Sequence, residues 1–122
     1  MKNQTYRMSM LYDFYGDLLT DRQKEFYDLY YNEDLSLSEI AENYGISRQG
    51  VRDVIVRAEA TLTEIEDKTR LIRRFHEMNR QILSINEMMD RLQAINDRDF
   101  MDREIDDIVS DVKAVTAKLS EE

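Results

Sequence analysis

Apolar residues recur at intervals of three and four along most of the chain, which places them on one face of a helix. Six such stripes predict six helical segments and an all-α protein. Their apolar members are Met8, Leu11, Tyr12 and Tyr15; Phe26, Leu29 and Tyr30; Leu37 and Ile40; Val51, Ile55, Ala58, Leu62 and Ile65; Leu71, Phe75, Met78, Ile82, Ile85, Met89 and Leu92; and Ile105, Ile108, Val112, Val115 and Leu119.

Helix starts are marked in the first half of the chain by residues that cap free backbone N–H groups. Thr20 with Gln23, and Ser36 with Glu39, have the spacing of a capping box. Ser47 is placed to cap the next helix. These caps predict helices that begin directly after residues 20, 36 and 47.

From Val51 to Glu122 no glycine or proline interrupts the chain. The apolar period nevertheless shifts between Ile65 and Leu71, so a helix either breaks near Asp67–Thr69 or continues with a rotated buried face. We favour a bend with helix on both sides. After the polar stretch at 96–99, the shorter last helix is expected to fold back as an antiparallel hairpin. The predicted organisation is therefore one domain over 1–65 and a helical hairpin for association over 66–122.

The segment 37–57 has the pattern of a helix-turn-helix without a wing. Such a motif needs apolar contacts between its helices, a small residue at their closest approach and a glycine with positive φ in the turn. The chain supplies these in order as Leu37, Ile40, Ala41, Gly45, Val51 and Val54.

In this motif the second helix presents its N-terminal turn to a DNA major groove. The candidate nucleic-acid-binding residues are Ser47, Arg48, Gln49, Arg52 and Arg57. Arginine can bind guanine, and glutamine can bind adenine, through two hydrogen bonds. The alternative is a solvated helix face, because Glu39, Glu42 and Asp53 balance the three arginines and the whole chain has 17 Lys+Arg against 26 Asp+Glu.

The stretch from Leu19 to Leu62 resembles the YlxM family of small bacterial proteins in its "LT", "YY", "SLSEIAE", "SRQ" and "RAEATL". It is more distantly similar to region 4 of RNA polymerase sigma factors. The family often has alanine where this chain has Gly50. The first similarity implies a role in the signal recognition particle pathway, and the second implies promoter-type DNA reading. Three functions follow: a DNA-binding regulator, an accessory that binds the particle's RNA or protein components, or a protein-interaction module that no longer contacts nucleic acid.

Two further features bear on partners. A basic patch stands in the otherwise acidic chain and consists of Lys68, Arg70, Arg73, Arg74 and Arg80. It either contacts nucleic-acid phosphate or pairs with acids of the last helix such as Asp102, Asp106 and Asp107. The long stripe 71–92 is too wide for one short partner helix to cover, so we expect a homodimer.

Composition argues against several other classes of protein. There is no cysteine, His76 is the only histidine, and no glycine-rich phosphate loop occurs. We therefore expect no enzyme, no metal and no cofactor. No secretion signal or membrane-spanning stretch is recognisable, and a cytoplasmic location is expected.

Overall fold

A computed structural model describes residues 5–120, and all regular structure in that range is helical. The chain divides into two units, one up to Ile72 and one from Arg73 onward. The sequence places this boundary earlier, at 65/66. The first unit extends further because Thr69 shares a hydrogen bond with the Tyr15 hydroxyl and Glu66 accepts one from the N–H of Ile72. The side chain of Ile72 also packs against the core of this unit.

The first unit contains the four helices that the apolar stripes and caps predict. They are α1 (Thr5–Tyr15), α2 (Asp21–Tyr31), α3 (Leu37–Tyr44) and α4 (Arg48–Thr69), and a 3-10 turn over Gly16–Leu18 follows α1. Both predicted capping boxes form, and the cap at Ser47 forms as well. The predicted starts are thus confirmed, because caps are local interactions that the sequence carries in full.

The core of this unit lies where α1, α2 and α3 pack against α4. Its fully buried side chains include Leu11, Phe26, Tyr27, Ile40, Val51, Ile55 and Leu62. The Tyr27 hydroxyl donates a 2.7 Å hydrogen bond to the backbone carbonyl of Met8, and the Tyr31 hydroxyl donates to Glu59. Tyrosines thereby tie α2 to both α1 and α4 while they fill the core.

The helix does break where the apolar period shifts, at a single residue. Arg70 has φ 56, in the left-handed region, between α4 and the next helix. The Glu66 carboxylate accepts hydrogen bonds from the Tyr15 hydroxyl and, at 3.0 Å, from the N–H of Ile72. Glu66 thus satisfies the N–H of Ile72, which the break leaves without a helical acceptor. Through Tyr15, the same carboxylate links the break to α1.

The second unit is an antiparallel hairpin of α5 (Leu71–Ile95), which begins two residues before the division, and α6 (Arg103–Ser120), with a π-helical turn over Asn96–Phe100 between them. Thr116 donates a 2.7 Å hydrogen bond to Asn86 of α5, and Lys113 pairs with Asp90. Asn96, which is 1% exposed, donates to the backbone carbonyl of Asp102 and accepts from its N–H. The expected hairpin is therefore confirmed.

Candidate nucleic-acid interface

The turn between α3 and α4 has the geometry that the sequence predicts. Gly45 adopts φ 67, and its neighbour Ile46 donates a 3.2 Å backbone hydrogen bond to Ala41. Ala41 and Val51 are both buried in the core of the first unit. A residue other than glycine would be strained at position 45, so the elbow depends on this residue type.

Ser47 has a structural task at the start of α4. Its hydroxyl oxygen accepts a 2.9 Å hydrogen bond from the N–H of Gly50, which satisfies one free donor of the first turn. The hydroxyl is exposed but already engaged. Among the candidate residues, Ser47 is therefore better suited to positioning the reader turn than to reading a base.

The side chains that could read or bind DNA project outward from α4. Arg48, Arg52 and Arg57 are exposed, and none of them forms an ion pair with a carboxylate of residues 5–120. Arg48 and Arg52 are four residues apart and share one face near the helix start, and Arg57 lies about 8 Å further along the axis than Arg52. A planar guanidinium can bind guanine or phosphate through two hydrogen bonds at once.

Gln49 is exposed but has an internal partner. Its side-chain amide donates a 2.9 Å hydrogen bond to Asp53, one turn further along α4. To read adenine, Gln49 has to exchange this bond for bonds to the base. The same bond keeps the Asp53 carboxylate beside Gln49 rather than on an arginine.

Two acids of the first unit, Glu39 of α3 and Glu25 of α2, are also held by hydrogen bonds. Glu39 accepts the N–H of Ser36 at 3.1 Å in the capping box, so its charge sits at the positive end of α3. The Tyr44 hydroxyl donates to Glu25, and this bond raises the pKa of Tyr44. Glu42 of α3 is exposed, so the outward surface of the motif carries this carboxylate as well as the three arginines of α4.

Arg22 is a cation of this unit that the sequence analysis did not single out. It is exposed on α2, and its guanidinium lies 5.4 Å from the ring centroid of Phe26. Phe26 in turn packs edge-to-face against Tyr44 at the end of α3. The sequence could have indicated this contact, because Arg22 stands four residues before an aromatic residue on a predicted helix.

The basic patch is distributed over both units. Lys68 pairs with Glu64 at 3.0 Å and Arg70 forms the break, both in the first unit, whereas Arg73 pairs with Glu77 at 3.5 Å in the second. All five side chains of the patch are exposed. Exposed pairs of this kind contribute only ~0–1 kcal/mol, so the pairing leaves the basic side chains of each unit available to an anionic partner.

Of the two interpretations of this patch, the pairing with acids of the last helix is wrong for Asp102 and Asp106. Asp106 accepts 2.7 Å hydrogen bonds from Gln93 and from Asn96, at the opposite end of α5 from the patch. Asp102 caps Glu104 and bonds to Asn96 at the same turn. The antiparallel register explains this, because the start of α6 lies beside the end of α5.

Residues 5–120 contain no group of three or more His, Cys, Asp or Glu side chains that could hold a metal ion. Within the same residues, no helix is long and apolar enough to cross a membrane. His76, the one histidine, is exposed on α5.

Comparison with known proteins places the chain in a family. Residues 2–107 match the family UPF0122, described as "Putative helix-turn-helix protein, YlxM / p13 like". The chain belongs to this family. A UPF0122 protein of Desulforamulus reducens is 45% identical over 89 residues, which cover 73% of this chain and 76% of the relative. UPF0122 proteins of Bacillus mycoides and Bacillus thuringiensis are each 43% identical over 97 residues, covering 80% of this chain and 88% of the relative.

Membership confirms the resemblance to YlxM and the all-α helix-turn-helix fold. The match includes α3, the elbow and α4, as well as α5 and the turn that follows it. The family description names the helix-turn-helix and no substrate or partner.

Proposed function

We propose that this UPF0122 protein is a DNA-binding regulator that reads duplex DNA with the start of α4. The observation that carries the proposal is the capped helix, set by a glycine elbow, whose arginines point outward and pair with no carboxylate of the described residues. Arg48, Gln49 and Arg52 are the base-reading residues, and Arg57 contacts phosphate further along the groove.

The acidic net charge of −9 fits a regulator with weak general affinity for nucleic acid. Few phosphate contacts mean few released counterions, so the logarithm of the binding constant falls with the logarithm of salt with a slope of roughly −0.9 per contact. With Arg57 as the phosphate contact of α4, we expect a slope of about −1 for each copy of α4 that binds. A strongly basic DNA-binding domain would give a much steeper one.

Arg52→Ala tests the reading face. A duplex is first selected from a randomised pool with the unaltered protein, and its affinity is measured by fluorescence anisotropy at two salt concentrations. Loss of a two-bond contact to a base should weaken binding by about 10- to 100-fold. Arg7→Ala removes the same charge from an exposed position on α1 and is the matched control.

Equal affinities of the Arg52 and Arg7 variants, with unchanged helical circular dichroism, would remove Arg52 as a base contact. Arg48→Ala then serves as a second probe of the same face. If neither variant differs from the control, the regulator proposal is abandoned.

A second candidate function rests on the basic patch. The YlxM resemblance implies a signal recognition particle accessory, and the exposed Arg74 and Arg80 of the second unit suit contact with the particle's RNA. Arg73→Glu combined with Arg74→Glu should then weaken binding of that RNA by more than tenfold and DNA binding far less. Arg91→Glu combined with Arg103→Glu applies the same charge change elsewhere in the hairpin unit.

If the particle's RNA and its protein components bind neither the unaltered chain nor the variants, the accessory role is rejected. Failure of both nucleic-acid roles leaves the protein-interaction module as the remaining proposal. For the first two roles we propose a cytoplasmic protein that acts as a homodimer, so that two copies of α4 are available to one partner.

A further inference from the structure

The two helices of the hairpin contact each other through rows that are largely polar. Along α5 the inner row is Ile82, Asn86, the half-buried Met89, Gln93 and Asn96, and along α6 it is Asp106, Val109, Lys113, Thr116 and Ser120. Only Ile82 and Val109 in these rows are buried apolar side chains, at 4% and 3% exposure. Hydrogen bonds set the register here, and little apolar area is buried between the helices.

A second row on each helix is apolar and largely exposed. On α5 it consists of Ile85, Met88, Leu92 and Ile95, and on α6 of Ile105, Ile108, Val112, Val115 and Leu119. Met88 is 49% exposed, Ile108 52% and Val115 58%. Nine apolar side chains at helical spacing thus remain uncovered or partly covered in the hairpin.

Both apolar rows lie on the same side of the hairpin. Each member of the apolar row precedes an inner-row position by one residue, as Leu92 precedes Gln93 on α5 and Val112 precedes Lys113 on α6. One residue is a rotation of about 100°. Because the helices are antiparallel, the same backward rotation turns both rows toward the same side of the plane that contains the two axes.

The opposite side carries mostly small and polar residues. The positions one residue after the inner row include Glu87, Ala94, Asp107, Ser110 and Ala114. Leu83 is the apolar exception there. The hairpin is therefore a layer with one apolar face, which we call the open face and define by the nine residues of the two apolar rows.

The angle between the rows identifies what covers the open face. A helix in an isolated hairpin has one neighbour and needs one contact row. A helix in a four-helix bundle has two neighbours in roughly perpendicular directions and needs two rows. Rows about 100° apart on both helices match the bundle, and another hairpin of the same kind supplies the two missing helices.

The size of the open face agrees with this arrangement. The 18 residues of α6 span about 27 Å, and two packed helices are about 20 Å wide. Two such faces together remove on the order of 1,000 Å² from water, which reaches the lower bound for a specific interface. The nine residues are uncharged, so two copies of the acidic chain can meet there without opposing like charges.

We infer that the open face binds the open face of a second copy of this chain, and that the two hairpins form a four-helix bundle. The inference rests on the proposed homodimer and assigns its surface. It differs from the expected stripe at 71–92, of which only Ile85 and Leu92 belong to the open face.

Sedimentation equilibrium on the full chain tests this inference. The unaltered protein should sediment at twice its 14.6 kDa chain mass. Val115→Glu places a charge in the open face and should raise the dimer dissociation constant by 30-fold or more, about the effect of losing an interface hot spot. Ala114→Glu adds the same charge at the neighbouring exposed position on the opposite side and should remain dimeric.

Ile108→Ser is the gentler second variant, for use if Val115→Glu loses helical circular dichroism; it should weaken the dimer with the helices intact. Equal dissociation constants for Val115→Glu, Ile108→Ser and Ala114→Glu would overturn the open-face assignment and leave a homodimer through another surface. A monomeric unaltered protein would overturn the homodimer itself. Neither result decides the Arg52 binding test, so DNA reading and this interface fail separately.

Discussion

Raising the pH from 9 to 11 should destabilise the first unit, because two of its core tyrosines resist ionisation. Tyr27 is 0% and Tyr31 is 5% exposed. Burial is the main cause that raises the pKa of both phenols, and the nearby Glu59 carboxylate raises both further. Tyr31 also donates its proton to Glu59 in a hydrogen bond, so its ionisation would cost that bond.

The size of the effect follows from proton linkage. In the unfolded chain a tyrosine ionises with a pKa near 10, and at pH 11 this lowers the unfolded state by about 1.4 kcal/mol per phenol. The folded phenols remain protonated there. Their stabilising contribution is thus complete below pH 10 and is lost as the pH rises above it, by about 3 kcal/mol for both at pH 11. A domain typically has only about 5–15 kcal/mol to lose.

Urea unfolding followed by circular dichroism at pH 7, 9, 10 and 11 measures this loss. Tyr27→Phe and Tyr31→Phe should each reduce the drop in unfolding free energy between pH 9 and 11 by about 1.4 kcal/mol. At pH 7, Tyr27→Phe should itself cost ~1 kcal/mol, since the buried hydrogen bond to the Met8 carbonyl is lost. Tyr6→Phe, at a side chain that is 77% exposed, is the control. A drop that is absent, or that both core variants retain in full, would refute the reasoning.

Three further changes probe single backbone features. Gly50→Ala should raise the free energy of unfolding by ~0.5–1 kcal/mol, because alanine favours the helix. The added Cβ would lie 3.1 Å from the Ser47 hydroxyl, which can shift by a few tenths of an ångström and keep its cap bond, and an ordinary 3.8 Å from Ile46. A loss of stability in urea unfolding would contradict this. Gly45→Ala should lower the free energy of unfolding by ~1–2 kcal/mol. The positive φ is the whole cause, because nothing lies within 4 Å of the new Cβ. An unchanged urea midpoint would show that alanine is not strained at this position. Asn96→Ala should cost ~2 kcal/mol in thermal unfolding of the hairpin, since it removes two buried hydrogen bonds with the backbone of Asp102. Arg98→Ala, at an exposed position of the same turn, should cost little. Equal losses for the two variants would argue against this role for Asn96.

The sequence alone determined the features that depend on neighbours within one helical turn. The capping boxes at Thr20 and Ser36, the cap at Ser47 and the glycine elbow formed as predicted, because each joins residues three to five positions apart. The family resemblance likewise depended on short motifs within 19–62. The local sequence also placed the exposed arginines on α4, although their ability to read DNA stays a prediction.

Contacts between distant residues were decided only by the tertiary structure. The break at Arg70 is fixed by Tyr15, 51 residues from its partner Glu66, and the periodicity indicated a change without locating it. Because of the register of the hairpin, Asp106 accepts a hydrogen bond from Asn96 and does not pair with the basic patch. Spacing by threes and fours marks every apolar row alike, and only the packing of α6 on α5 shows which row is inside and which is exposed.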